Sequence, residues 1–222
     1  MGFSELSIEL SDDQKAMRDA AKNFCTEVWR PAAVELDKLH DPQDVIEEGS
    51  ILWDVLRKSY ELGYHHMNIP KEVGGMGLDG LTSALIREQM GWAAADLAVG
   101  LAASCMPFLF TPLSPDPEVR DLTRKFCEDT EAKMIGCWAI TEPEHGSDWS
   151  CLDEEYSKDP KSVPSVQAVL DGEEYVVNGQ KSSWVSNGTI ATHALLFLCL
   201  DPSAGMFGCG IAAIPLSYQG IY

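Results

Sequence analysis

Two short stretches hold the side chains best placed for chemistry. The first is Trp138-Ala139-Ile140-Thr141-Glu142-Pro143-Glu144-His145-Gly146-Ser147-Asp148. Its apolar start reads as a strand ending at Thr141. The turn that follows is stiffened by Pro143 and opens a close approach at Gly146 beside the Ser147 hydroxyl. A turn of this kind presents main-chain N–H groups and hydroxyls to a flat ring and a pyrophosphate without using Lys or Arg. Taken alone, it also reads as an ordinary turn rich in Asp and Ser.

The second stretch is Tyr175-Val176-Val177-Asn178-Gly179-Gln180-Lys181-Ser182-Ser183-Trp184-Val185-Ser186-Asn187-Gly188. It places an indole two residues before a hydroxyl, after a strand and a turn. Trp184 offers a flat face to a ring such as a flavin, and Ser186 a hydrogen bond to that ring's polar edge. The competing reading for Trp184 is core packing. A third segment, Ile69-Pro70-Lys71-Glu72-Val73-Gly74-Gly75-Met76-Gly77-Leu78, is a glycine-rich loop that needs positive φ at several positions. It lacks the Gly-Lys-Ser/Thr ending of a phosphate-binding loop.

The elements that must position these residues differ along the chain. Up to about residue 133 the apolar spacing is helical. Ser11 and Gln14 form a capping box, followed by Met17, Ala20, Ala21, Phe24 and Val28 as a buried stripe. Pro31 is expected to end or kink that helix. Further helices are expected over Ser50–Leu62 with Gly63 as stop, Leu81–Trp92, Ala94–Met106 and Asp116–Thr130. The Ala94–Met106 segment is apolar on nearly every side and reads as buried. Beyond Lys133, Met134–Thr141, Ser165–Leu170, Glu174–Val177, Ala194–Leu200 and Cys209–Ile214 read as strands, with Asp171-Gly172 as a hairpin turn. The acidic segment Asp153–Pro164 reads as an exposed loop. Helices followed by strands indicate an α+β chain, with an all-α domain over 1–133 and a β domain over 134–222.

The chain has 222 residues and a formal charge of -19. That excess argues against nucleic acid and anionic membranes as partners. Neither apolar run, Ala93–Met106 or Ala194–Leu200, is long enough to read as a membrane span. The start carries no signal-peptide pattern. Seven cysteines without a C-x-x-C pair or a His at ligand spacing point to reduced thiols in a cytoplasmic protein, and to no metal site.

The three segments, in this order and spacing, resemble the acyl-CoA dehydrogenase family, whose signatures have the forms I-P-x-x-x-G-G-x-G, T-E-P-x-x-G-S-D and N-G-x-K-x-W-[IV]-[TS]-N-G. The resemblance implies an N-terminal helical domain followed by an incomplete β-barrel-like domain, with the family's C-terminal helical domain absent. It implies FAD as cofactor, held by Trp138, Ala139, Ile140, Thr141, Gly146 and Ser147 and by Trp184, Val185 and Ser186. Ser147 would also meet the substrate. The implied reaction is α,β-dehydrogenation of an acyl-CoA thioester, with electrons passed to an electron-transfer flavoprotein. The helix over Ala94–Met106 would help wall the acyl pocket.

Glu144 and His145 stand where the family often has small residues, and Asp153–Pro164 is longer than usual. The sequence stops inside the expected β domain, so the catalytic base is expected from a region or second chain outside it, within a larger oligomer. An acyl-CoA oxidase or flavin monooxygenase on the same scaffold, or a non-catalytic scaffold subunit, are the alternatives.

Overall fold

The computed structural model describes residues 9–150 and 154–221. The chain divides into two compact units. Met106–Phe110 groups with the residues from Met134 onward, and the remaining residues up to Lys133 form the other unit.

The first unit is helical. Helix α1 (Asp12–Phe24) starts on the Ser11/Gln14 capping box, with both reciprocal hydrogen bonds present. It does not stop at Pro31. It passes through one π-helical turn, Cys25–Trp29, in which Arg30 N–H reaches back to the Cys25 carbonyl, and continues as α2 (Arg30–Leu36). Pro31, which has no N–H to donate, lies just past the π turn, and the helix runs on through it. The buried face of α1 is set by Ala21, with Cys25 and Trp29 carrying it through the π turn, while Met17 and Ala20 are exposed. Inside the unit, the Trp29 indole donates to Ser59 Oγ at 3.0 Å, and Ser59 donates onward to the Val55 carbonyl.

Next come α3 (Pro42–Ile46) and α4 (Ile51–Glu61), the latter capped by the Ser50 side chain and closed at Gly63. In the glycine-rich loop, Gly74 and Gly77 have positive φ, as the sequence requires. Helix α5 (Gly80–Ala93) is capped by Asp79, and α6 (Ala95–Ser104) follows it. Within this unit α6 is buried along Leu97, Leu101, Ala103 and Ser104 only, and Val99 and Ala102 are exposed. The expectation of burial on nearly every side is therefore corrected. Uniform apolarity carries no information about which face is covered.

The helical run is interrupted at Cys105 before α7 (Met106–Phe110). By length and composition alone, Ala95–Leu113 is apolar enough to cross a membrane, a test that core helices of soluble proteins also pass. The last helix of this unit, α8 (Pro117–Glu128), has Asp116 as cap and Pro117 in its first turn.

The second unit is built on five strands: β1 (Gly136–Ala139), β2 (Gln167–Asp171), β3 (Glu174–Asn178), β4 (His193–Cys199) and β5 (Cys209–Pro215). Strand β4 is central. Antiparallel β5 pairs with it from His193↔Pro215 to Cys199↔Cys209. Parallel β1 pairs with residues 193–196 of β4, and parallel β2 meets it at Gln167↔Cys199. The edge of β4 opposite β5 is thus shared by two strands in succession. The β2–β3 hairpin turns at Gly172-Glu173, with Asp171 paired to Glu174, one residue later than the expected Asp171-Gly172 turn. Its side chains Val169, Leu170, Tyr175, Val176 and Val177 are all exposed.

One sheet face covers an apolar cluster of Cys137, Ala139, Val166, Ala168, Ala194, Leu196 and Leu198. Of the segment expected as an exposed loop, Asp153 lies outside the described residues. The rest forms α9 (Glu154–Lys158) and a 3-10 turn at Pro160–Ser162, with Ser157, Ser162 and Pro164 buried.

His65 and His66 lie in a 3-10 turn after α4. His65 is 3% exposed and stacks on Tyr60 with ring centroids 3.9 Å apart. Its Nε2 donates to the Phe126 carbonyl, leaving Nδ1 without a partner. Burial, reinforced by the neighbouring His66, pushes its pKa down to about 3. The unfolded chain therefore binds the His65 proton more readily than the folded one. The stability carried by the neutral ring is complete above the unfolded value near 6.5 and is lost as pH falls from there towards about 3. Over that window His65 should contribute a slope of roughly 1.4 kcal/mol per pH unit. Urea titrations of the native chain and His65→Gln between pH 7 and 4 would check this: the substituted chain should lose stability less steeply on acidification.

Candidate functional site

The site lies in the second unit, where the edge of β4 passes from β1 to β2. After β1 the chain leaves the sheet at Ile140 and Thr141 and makes a tight turn, with Glu142 N–H donating to the His145 carbonyl at 2.7 Å. Glu142 folds back into the gap between the two strands. Its side chain is 1% exposed. One carboxylate oxygen accepts the Ser165 N–H, and the other accepts the Val166 N–H at 3.1 Å. That second oxygen also takes the Lys181 ammonium at 2.7 Å.

Lys181 donates as well to the Ile140 carbonyl at 3.2 Å and lies 6.0 Å from the Trp149 ring centre. Burial lowers its pKa, while Glu142 acts in the opposite direction. A cation left in this position without the carboxylate would be strongly disfavoured.

This ion pair joins the two stretches singled out in the sequence. A main-chain hydrogen bond from Ser182 N–H to the Thr141 carbonyl, 2.9 Å, lies beside it. The Asn187 side chain adds a third tie, donating to the Gly136 carbonyl at 3.0 Å. Gly179 lets the second stretch leave β3: its φ is +142°, and a Cβ there would sit 2.5 Å from Val166 Cα.

Around this frame the expected site residues divide into two groups. Trp138 points away from the apolar cluster and is 41% exposed, and Trp184 is 70% exposed. Core packing therefore does not account for Trp184 in this unit. Ser147 is exposed, Thr141, Gly146 and Ser186 are half-buried, and Gly146 comes close to the Thr141 methyl group. Ala139 and Val185, by contrast, turn their side chains into the apolar cluster, so only their main chain can face a ligand. The Val185 carbonyl is already taken by Gly188 N–H.

The Ser182 hydroxyl is buried with no hydrogen-bond partner, an unfilled donor within the second stretch. Asp148 is a position whose side chain lies outside the described residues. Among the described residues, no group of His, Cys, Asp and Glu is arranged to hold a metal ion.

Sequence reasoning passed over Glu142, Lys181 and Ser182 as organising residues. The signal was present in opposite charges, one in each stretch, among small and apolar neighbours.

Residues 11–113 match the family model described as acyl-CoA dehydrogenase, N-terminal domain. The chain is 27% identical over 214 residues to a cyclohex-1-ene-1-carbonyl-CoA dehydrogenase of Syntrophus aciditrophicus (strain SB), covering 96% of this chain and 46% of the relative. It is 26% identical over 200 residues to a probable medium-chain specific acyl-CoA dehydrogenase 2, mitochondrial, of Caenorhabditis briggsae, covering 90% and 43%. Among solved structures it is similar in fold to an acyl-CoA dehydrogenase complexed with FAD from Bacillus anthracis. That match has a TM-score of 0.72 and 22% identity, and covers 96% of this chain and 32% of the other. The chain thus spans less than half the length of these acyl-CoA dehydrogenase relatives.

The ion pair gives a direct test of what holds the site together. Lys181→Met leaves the Glu142 carboxylate buried without its cation and should destabilise the sheet unit by about 3–5 kcal/mol. Glu142→Gln should cost a similar amount by stranding the ammonium. The double substitution should recover part of the loss, and a double-mutant cycle of urea unfolding free energies would measure the coupling.

Proposed function

We propose that the second unit supplies one wall of an FAD site, and that the chain takes part in the α,β-dehydrogenation of an acyl-CoA thioester. The observation that carries this reading is the pairing of two signature stretches at one sheet edge. Two outward tryptophans and the hydroxyls of Thr141, Ser147 and Ser186 surround a rigid, ion-paired base.

The residues present fit such a group. Trp184 and Trp138 leave indole surface open to a flat ring, and the unpartnered Ser182 hydroxyl is a hydrogen-bonding group available to a bound molecule. FAD, when bound, supplies the two-electron acceptor that oxidation of a C–C bond requires. In this reading Thr141 and Ser186 bond the ring's polar edge, and Trp184 packs on the ring. Gly146 and Ser147 offer N–H and hydroxyl donors to phosphate oxygens. Lys181 is committed to Glu142, so the phosphates depend on these neutral donors.

Glu142 is not the base that removes the substrate's α-proton. Both its oxygens are engaged, and it is buried behind the turn it stabilises. The base is proposed to come from outside these residues, contributed by further chain or by a second polypeptide. Electrons are proposed to leave to an electron-transfer flavoprotein. The acyl-CoA substrate itself follows from the family likeness.

Trp184→Ala and Thr141→Ala test the cofactor wall. Trp184 is largely exposed, so its substitution should leave unfolding free energy within about 0.5 kcal/mol. FAD affinity should fall by roughly tenfold for each, a loss of about 1.4 kcal/mol. Titration of the protein, with any completing partner present, by FAD absorbance and tryptophan quenching gives the comparison. Unchanged affinity in both variants would remove the flavin assignment from these residues.

A further inference from the structure

At the far end of the β4–β5 ladder from β1, two thiols face each other. Cys199 and Cys209 are direct partners in the antiparallel register. The ladder's hydrogen bonds fix which kind of pair they are. Leu200 N–H donates to the Gly208 carbonyl, and Leu216 N–H donates to the Thr192 carbonyl. These mark 200/208 and 192/216 as hydrogen-bonded positions. Alternation along the ladder makes 199/209 a non-hydrogen-bonded pair, in which opposed Cα atoms stand about 4.5 Å apart with side chains closest together. A disulfide spans Cα separations of about 4.4–6.8 Å. The Cys209 S–H is held by the Gly205 carbonyl at 3.8 Å, a weak tie that leaves its sulfur free to turn to Cys199.

We infer that Cys199 and Cys209 are a modification site, a dithiol that closes reversibly to a cross-strand disulfide with a small disulfide oxidant such as oxidised glutathione. Cys199 is 1% exposed and Cys209 half-buried, so Cys209 is the point of entry. Its sulfur, once deprotonated to solvent, attacks one sulfur of the oxidant and expels one thiol. Cys199 then attacks the Cys209 sulfur of the mixed disulfide and expels the second thiol. Two electrons and two protons pass from the protein dithiol to the oxidant, which becomes two reduced thiols.

The surroundings make this a slow site at neutral pH. Burial pushes the Cys209 thiol up to about 12, with Cys199 and Glu142 acting in the same direction and Lys181 against them. Burial also raises Cys199. Closure should therefore quicken as pH rises, because the thiolate is the attacking form. The bond would clasp the loop 200–208, which contains the 3-10 turn Pro202–Gly208. Cys25, Cys127 and Cys137, by contrast, are buried thiols on other elements, without a cysteine as register partner.

The test uses the full reduced chain, incubated with oxidised glutathione, alkylated and cleaved at Met206, which lies between the two cysteines in sequence. Closure predicts loss of two of the seven thiols and a pair of fragments flanking Met206 that stay joined until reduced. Cys199→Ala and Cys209→Ser should each abolish the joined product, and Cys137→Ser should leave it intact. The wild-type chain unfolded in urea should give scattered pairings instead. Fragments that separate after oxidation, a glutathione adduct on Cys209 that Cys199 never displaces, or equal yields from folded and unfolded chain would each overturn the assignment.

Discussion

The arrangement of the second unit depends on a carboxylate placed where the sheet would otherwise come apart. The edge of β4 is served first by β1 and then by β2, and the chain between them must leave main-chain donors unpaired. Glu142 fills that gap, accepting the first N–H groups of the returning segment through both its oxygens. A buried carboxylate needs a cation, and Lys181 arrives from a different part of the chain to supply it. The same interaction that seals the sheet therefore brings the second stretch to the first. Strand pairing, loop placement and the exposure of Trp184 rest on a single pair of charges.

This coupling explains why the exposed residues can be spared for binding. Trp138, Ser147 and Trp184 do little to hold the unit together, because Glu142, Lys181, Asn187 and the Ser182–Thr141 main-chain bond already fix their backbone. A side chain freed from a structural task can face outward in a set orientation. The acidic surface is consistent with this division, since the cation at the site is neutralised internally and leaves no basic field to compete with the rest of the molecule.

Much of the fold was legible from local chemistry. Ser11 with Gln14, Ser50, and Asp116 with Pro117 announce helix starts through groups that act within one turn. The β2–β3 hairpin, turning on Gly172 with positive φ, is equally local. The site was legible as two stretches but not as one object. Glu142 and Lys181 are 39 residues apart, and their meeting follows from parallel strand order, which no short-range pattern encodes. The exposed side of α6 escaped notice because Ala, Gly and Leu give no polar face to read. The Cys199–Cys209 pairing needed the register of β4 and β5 to the residue, and a shift by one would have placed the thiols on opposite faces.

The π turn between α1 and α2 has a consequence for how this segment can vary among related chains. Each residue of an α-helix turns the chain by about 100°. The widened turn at Cys25–Trp29 sets the phase that directs Trp29 towards Ser59, with Ala32 and Leu36 buried along the helix that follows. The turn fits one residue more than an α-helical turn into about the same rotation, so deleting one residue there would restore a regular helix and keep Ala32 and Leu36 on the buried face. Elsewhere in α1 or α2 the same deletion would swing everything after it by about a quarter of a turn. The π turn, with exposed Thr26 and Glu27 inside it, is where this helix can change length by one residue.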